Sequence, residues 1–583
     1  MDIEDINDNI LFNNYANIYK ITFESFHKII IIIISLCKDK YNDVNTFNKA
    51  LQKIQRKNRD NSKVSVIRDV YNFLVKINHI KINYEFEEFC SFKQSRKNQG
   101  ILVIAVLMSD KPDGKLMTCK NNCYYCPNVE GYSRSYYPLE PAVERGYQCG
   151  WDPILQVISR LNVYATNGYI FSDIKEIERR NIKGYKVDVI IEGGSYNSYP
   201  ERYRKEFITK LFYACNTYFD KEKREMYSID IEKKINTTSI IRIIGLSIET
   251  RADLINNDLI KELRIFGVTR VQMGIQHTND EILKFVNRNS TLIETKQALK
   301  ILFDNGFKVS IHIMPDLPGS SPELDSEMFE LLFNDDCLEF DYVKFYPSVV
   351  MPYTKIIEWF MNGTYKPYAN ELVDYVVDGK IEKISKMVLI TIQFMSMCKK
   401  HQRVERIERD LPTSKQVGGC NTTNLRQIIE IIMNKNKIIC REIRCREIKN
   451  KNVNMDNIDI FIDKYSAHGG TEYFISFETK DEKTIIGFIR LRIPDIDSVC
   501  IDELKNSTII REIHIYGQPS SIGHNTSSSY QHKGFGTKLL FKAIEISKSF
   551  GFNKIAVISG EGVKGFYEKF GFYNGEYYMY KDI

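Results

Sequence analysis

The chain has 583 residues, 43% of them hydrophobic and 27% charged, with a net charge of +6 and a pI near 8.4. This composition excludes a predominantly disordered chain, and the length, at roughly 150 residues per domain, excludes a single core. The mild basic excess permits a polyanionic partner without demanding one. The thirteen cysteines are scattered rather than arranged as a secretory disulfide framework, which points to a reducing, cytoplasmic setting.

Residues 1–98 read as a basic region of helices with mixed charge. The apolar run Ile29–Ile34 falls short of the roughly 18 to 20 residues that span a bilayer, so it is expected to be a buried helix, with no membrane partner. The basic stretches Gln55–Lys63 and Lys93–Lys97 carry no catalytic motif and are open to two readings, solvated faces or nucleic-acid contact.

From 99 to 360, short apolar runs alternate with longer amphipathic stretches: Ile101–Met108, Val187–Ile191, Ile240–Ile248, Val271–Ile275, Lys308–Ile313 and Tyr342–Phe345. Such alternation predicts a parallel sheet closed into all or part of a barrel, with chemistry at the C-terminal ends of the strands. Cys119, Cys123 and Cys126, in the run Cys-Lys-Asn-Asn-Cys-Tyr-Tyr-Cys-Pro, follow the first strand. Glu192-Gly193-Gly194, Glu249-Thr250-Arg251, Gln276-His277 and Met314-Pro315-Asp316 follow later ones, so all are expected at one mouth. Three thiolates suit an iron–sulfur cluster or zinc, but a structural tetrahedral site takes four protein ligands, so three imply an open position. Half a zinc knuckle, or three buried thiols, are the alternatives.

Residues 361–455 read as a helical, charged linker containing Arg403–Asp410 (RVERIERD), Gly418-Gly419, Cys440 and Cys445. Residues 456–583 read as a separate α/β domain with strands at Glu472–Phe477, Thr484–Arg492, Ile509–Tyr516 and Lys554–Ser559. There, Gln531-His532-Lys533-Gly534-Phe535-Gly536 leads into the amphipathic stretch Thr537–Ser547, where free N–H groups and the helix dipole suit a pyrophosphate. Glu512 and His514, two apart on one strand face, are candidate bases; a charge pair and a core histidine are their structural alternatives. Tyr567 is a candidate proton donor to a departing thiolate.

The aromatic before Cys126 makes the cysteine loop resemble that of radical S-adenosylmethionine enzymes, while the Gln-x-x-Gly-x-Gly run and Phe566–Phe572 resemble GCN5-related acetyltransferases. With the ordered stretches Gly245–Asp253 (GLSIETRAD), Gly267–Gln276, Gly306–Pro318 and Arg511–Gly517 (REIHIYG), the chain from about residue 100 onward resembles the catalytic-subunit family of the Elongator complex. The resemblance implies an α/β fold: a partial (β/α) barrel, then a GCN5-related domain. It implies an acyltransferase that modifies the wobble uridine of tRNA at C5, with acetyl-CoA as the source of a carboxymethyl group. A radical made from S-adenosylmethionine would take hydrogen from the acetyl methyl, and the carbon radical would add to C5 before thioester hydrolysis.

The same resemblance places a 4Fe-4S cluster on Cys119, Cys123 and Cys126, and S-adenosylmethionine at Gly193 and Gly194. It assigns acetyl-CoA to Lys186, Glu512, Ile513, His514, Ile515, Gln531, His532, Lys533, Gly534, Phe535, Gly536 and Tyr567, of which Lys186, Glu512, His514 and Tyr567 are the catalytic candidates. Arg251, Gln276 and His312 face the mouth by strand position. Cys440 and Cys445, joined by Cys420 or His401, are the zinc candidates, although Ser348 stands where some relatives carry another cysteine. Implied partners are tRNA, an electron donor, and Elongator-like subunits or a second copy of the chain. A protein lysine acetyltransferase with a structural cluster is the alternative activity.

Overall fold

The computed structural model describes residues 22–41, 44–77, 79–90, 101–117, 119, 121–449, 451, 453–516 and 534–583. Lys93–Lys97 and Gln531–Lys533 lie outside the described residues.

One compact unit comprises the N-terminal helices together with residues 159–183. Helix α1 (Phe23–Lys38) starts where the Thr22 hydroxyl accepts from the Ser25 N–H at 3.3 Å, a normal N-cap. The isoleucine run lies inside α1, and Ile29, Ile30, Ile32 and Ile33 are all buried against α2 (Val44–Lys57), α3 (Val64–Lys76) and α4 (Tyr84–Phe89). Each such side chain contributes about 1.5–3 kcal/mol of burial free energy, enough to hold short helices that would be marginal alone. Arg180 clamps Glu87 with two hydrogen bonds of 2.6 and 2.7 Å.

The second unit contains two seven-stranded sheets, with two small two-stranded ones. The first is wholly parallel, in the order β1 (Leu102–Leu107), β2 (Tyr185–Glu192), β3 (Ile241–Arg251), β4 (Arg270–Gln276), β5 (Lys308–Ile313), β6 (Tyr342–Phe345) and β7 (Arg403–Ile407). Along β2, buried Tyr185, Val187, Val189 and Ile191 alternate with Lys186, Asp188, Ile190 and Glu192, so one face joins the apolar core and the other lines a polar lumen. The strand β7 corrects the expectation of a helical linker over 361–455. Val404 and Ile407 are buried, while Glu405 turns inward among the barrel's charges. A strand whose inward face is ionic reads from sequence as a solvated helix. Residues 361–455 also hold a hairpin, Leu372–Val377 with Lys380–Ser385, and the helices Lys386–Met397 and Leu425–Lys435.

The second sheet is mixed, in the order β8 (Ile458–Ala467), β9 (Gly470–Thr479), β10 (Ile485–Ile493), β11 (Thr508–Ile515), β12 (Lys554–Val557), β14 (Met579–Asp582) and β13 (Tyr573–Asn574). Among the described residues of this sheet only β11 and β12 pair in parallel. The helix Phe535–Ser549 covers one face, burying Leu539, Leu540 and Ala543 in the core. This sheet is fastened to the N-terminal ends of the barrel strands by buried ions. Arg511 reaches Asp341 and the Phe307 carbonyl, and Arg492 reaches Asp304 at 2.5 Å. At Gly560 the backbone passes so close to the Ile244 carbonyl of β3 that a Cβ would overlap it.

Candidate active centre

The loop after β1 is held by its backbone. Tyr124 N–H donates to the Val286 carbonyl at 2.9 Å, Lys355 N–H to Tyr124 at 2.8 Å, and Asn287 Nδ2 to the Asn122 carbonyl at 2.8 Å. Two buried guanidiniums point at one sulfur, Arg251 Nη1 at 3.8 Å and Arg288 Nη1 at 4.0 Å from Cys123 Sγ. Burial, with Cys123 nearby, pushes the Cys126 thiol up, while Arg134 and Arg409 draw it back. Donors gathered around sulfur suit thiolates, and a metal stabilises the thiolate form further. Among the described residues the three sulfurs do not all lie within 4.8 Å of one another. One zinc ion would pull its thiolates to about 3.8 Å apart at the usual 2.3 Å bond length; a cluster offering a separate iron to each has room for wider spacing. The residues fit a cluster.

The strand ends converge on this loop, as expected. After β2 the chain turns through Gly193 (φ 143°) and Gly194 (φ 85°), where a Cβ would meet Tyr199 Oη or the Arg134 carbonyl at 3.0 Å. These turns place Ser195 Oγ 4.0 Å from Cys119 Sγ. Gln276, ending β4, is held at φ 71°, a sparsely populated region for a side-chain-bearing residue. His312 lies in the lumen beside Tyr346, and burial followed by Lys344 keeps it neutral; among the described residues its Nε2 has no hydrogen-bond partner.

Behind the mouth the lumen is ionic. Glu192 has its carboxyl pushed up to about 7, by burial first and then by Glu249. Glu249 accepts from the Tyr136 hydroxyl and lies 3.8 Å from Lys344, which also bonds Gln272. Deeper, Arg270 bridges Glu405 at 2.8 Å and Asp188 at 3.3 Å, with Ser247 at 2.8 Å from its Nε.

At the far end stand the residues of the second sheet. Glu512 accepts from the Tyr342 hydroxyl and from Arg490 Nε at 3.0 Å. Burial alone would raise its carboxyl, but Lys308 and Arg490 hold it low. His514 stacks on Phe488 and sits at a tilt beside Tyr516; burial lowers it to about 4, and among the described residues its Nε2 has no hydrogen-bond partner. Lys186, half-buried and depressed by desolvation, lies within electrostatic reach of His514, so it belongs to this end and not to the mouth. Tyr567 is buried, and burial followed by Glu512 raises its hydroxyl. Gly534 (φ 81°) opens the helix Phe535–Ser549, and a Cβ on Gly536 would touch Ile515, Phe566 and Ile513 at 3.8–3.9 Å. The structure thus draws Lys186, Glu512, His514 and Tyr567 to one end and the cysteines to the other.

The zinc candidates only partly assemble. Cys440 and Cys445 sulfurs are 3.1 Å apart with Glu442 at 3.3 Å, but Glu442 already holds Arg426 at 2.6 Å. His401 pairs instead with Glu339 at 3.1 Å and stacks on Tyr465, and Cys420 lies beside Ser348. Three donors, one already neutralised, do not fit a four-ligand zinc site. Sequence reasoning placed Glu192 at the mouth but missed Lys344, Arg409 and Arg134; the first two of these stand near or just beyond strand ends, where charge was visible but direction was not.

Residues 117–332 match the radical SAM superfamily model, 340–435 the radical SAM C-terminal domain and 440–572 the acetyltransferase (GNAT) family. The chain is 33% identical over 510 residues to the tRNA uridine(34) acetyltransferase of Methanocaldococcus jannaschii, covering 84% of this chain and 86% of that one. The chain belongs to the Elongator protein 3 family. The Elongator complex protein 3 of Saccharomyces cerevisiae is 29% identical over 504 residues, covering 84% of each chain. The archaeal Methanocaldococcus infernus Elp3 structure, lacking its first 46 residues, superposes with a TM-score of 0.67 at 30% identity, covering 83% of this chain and all of that one. Both Elongator protein 3 hallmarks are here: a radical SAM domain, which implies a 4Fe-4S cluster and S-adenosylmethionine, and a GNAT domain, which implies acetyl-CoA. No helix among the described residues is long and apolar enough to cross a membrane.

Proposed function

We propose that the protein modifies the wobble uridine of tRNA at C5, using acetyl-CoA as the source of a carboxymethyl group. One observation carries this reading: the thiol loop and the Lys186–Glu512–His514 cluster stand at opposite ends of one charged lumen. The names of relatives aligned over 84% of the chain, tRNA uridine(34) acetyltransferases, agree with it.

Cys119, Cys123 and Cys126 hold the cluster, with Arg251 and Arg288 offsetting thiolate charge; Gly193 and Gly194 admit the methionine end of the cofactor. Loaded with these groups, the mouth supplies one-electron hydrogen-abstraction chemistry. At the other end, Gly534, Phe535 and Gly536, with Gln531, His532 and Lys533, cradle the CoA pyrophosphate. Ile513 and Ile515 pack beside the thioester arm. Tyr567 donates its proton to the CoA sulfur, and neutral His514, with Lys186 beside it, activates the water that opens the thioester. Glu512 orients this end through Tyr342 and Arg490. The cluster held by these cysteines would need an external electron donor, and Elongator-like subunits or a second copy of this chain complete the tRNA platform. Glu512 is already occupied, and desolvation lowers half-buried His514 to about 4, which disfavours deprotonation of a protein lysine and so the lysine acetyltransferase reading.

The test is anaerobic reconstitution with iron and sulfide, then incubation with tRNA, acetyl-CoA and S-adenosylmethionine. Modified uridine and tRNA-dependent loss of acetyl-CoA are expected together. Iron-loaded protein that hydrolyses acetyl-CoA indifferently to tRNA, and leaves uridine unchanged, would sink the reading.

A further inference from the structure

A cavity of about 580 Å³ lies beside the mouth, bordered by β7, the segment 408–424 and the helix Leu425–Lys435. It shares a wall with the active centre. Arg409 lines it while bonding Glu140 at 3.1 Å and stacking over Tyr136 at 5.2 Å.

Most of its charges are already paired. Arg406 is tied to Asp410 at 2.7 Å, Arg426 to Glu442 at 2.6 Å and Glu405 to Arg270 at 2.8 Å. Arg444 and Glu408 are the exceptions. Glu408 accepts from the Leu425 N–H, and burial pushes its carboxyl up to about 7. The Arg444 side chain makes one hydrogen bond, from Nη1 to the Glu405 carbonyl at 2.6 Å, and among the described residues no carboxylate comes within ion-pair distance. Burial, with Arg426 and Arg403 near, lowers it to about 10, so it stays charged at neutral pH in surroundings already rich in guanidinium. A half-buried guanidinium with no carboxylate in ion-pair contact, influenced only at longer range by Glu442 and Glu430, favours an anion. Asn421, Thr422 and Gln427 add neutral hydrogen-bonding groups to the same walls. An anion carrying a planar polar group is what single-stranded RNA presents once its bases are splayed.

The geometry points to this cavity as the binding site for a nucleotide flanking the target uridine, its phosphate on Arg444 and its base among Asn421, Thr422 and Gln427. The inference rests on the tRNA reading above and adds the place where the anticodon loop is gripped.

The test is binding of a labelled anticodon stem-loop across a salt series. Arg444→Gln is expected to weaken binding about three- to tenfold and to make the log–log salt slope shallower by about 0.7, one phosphate contact fewer. Arg444→Lys should keep the slope. Gln427→Glu, on an exposed helix position that folding does not depend on, should weaken binding comparably. Stem-loops carrying 4-thiouridine on either side of the wobble position should photo-crosslink within 411–427. An unchanged slope in Arg444→Gln with crosslinks elsewhere overturns the cavity assignment alone. A loss of acetyl-CoA affinity instead of RNA affinity gives the cavity to the CoA phosphates and overturns it too. Wild-type protein that binds no stem-loop overturns the tRNA reading as well.

Discussion

Arg511 grips both carboxylate oxygens of Asp341, Nη1 to Oδ2 and Nη2 to Oδ1 at 2.7 Å each, and both residues are fully buried. One comes from the acetyltransferase sheet and the other from the foot of β6, so the contact joins the two sheets. Arg511→Ala strands a buried carboxylate and is expected to cost about 3–5 kcal/mol, whereas Arg511→Met with Asp341→Leu should recover much of it. Denaturant unfolding of the three proteins measures this.

Acid should act on the same contact. Asp341 is buried, which alone would raise its carboxyl, but Arg511 and Arg490 hold it far below the usual range. A depressed carboxyl contributes stability that is complete above its unfolded value of about 3.9 and is lost as pH falls below that. Fluorescence-monitored melting should therefore be flat in this respect from pH 7 to 5 and fall steeply below about pH 4, with Asp341→Asn showing a shallower fall.

Glu192 behaves oppositely. Its carboxyl, raised to about 7 and faced by Glu249, Lys344, Arg406 and Glu140, keeps its proton in the fold while an unfolded chain releases it near 4.3. The folded state then loses stability as pH rises from about 4.3 to 7. Glu192→Gln should be nearly neutral at pH 4.5 and stabilising at pH 8, by on the order of 2–3 kcal/mol. Equal effects at both pH values would contradict this.

At the mouth, Cys123→Ser should abolish iron retention while circular dichroism stays native. Arg288→Gln should retain iron but shift the cluster midpoint to more negative potential, by on the order of tens of millivolts, because a cation beside the thiolate favours the reduced form. Potentiometric EPR reads this out independently of turnover.

Tyr567→Phe should lower acetyl-CoA hydrolysis about a hundredfold with iron content unchanged. Normal hydrolysis would remove its assigned role.

Periodicity sufficed for the barrel. Lys308–Ile313 and Tyr342–Phe345 have the limits expected from their apolar runs, and the cysteine loop and Gly193-Gly194 meet at the mouth as expected. It failed at β7, because the inward face there is Glu405, and at β8, an edge strand where Ile458 and Ile460 flank exposed Asp459 but stay half-exposed and Ile462 is exposed. The placement of Lys186 at the opposite end from the cysteines was not legible either. Which end of a barrel a second domain covers depends on pairings such as Arg511 with Asp341, 170 residues apart, and no local pattern encodes them.

The parallel sheet runs from β1 to β7 with no pairing between those two edge strands among the described residues, so the hydrogen-bonded ring is open along a seam that side chains bridge just beyond the strand ends, Arg409 on Glu140. A closed ring admits only what can be threaded through its ends. An open one can take a folded polymer sideways, loop first, and let it go again without a free terminus ever passing through. On the proposed reading, a circularised anticodon stem-loop would be as good a substrate as a linear one, and selection would rest on the exposure of the loop, not on the ends of the molecule.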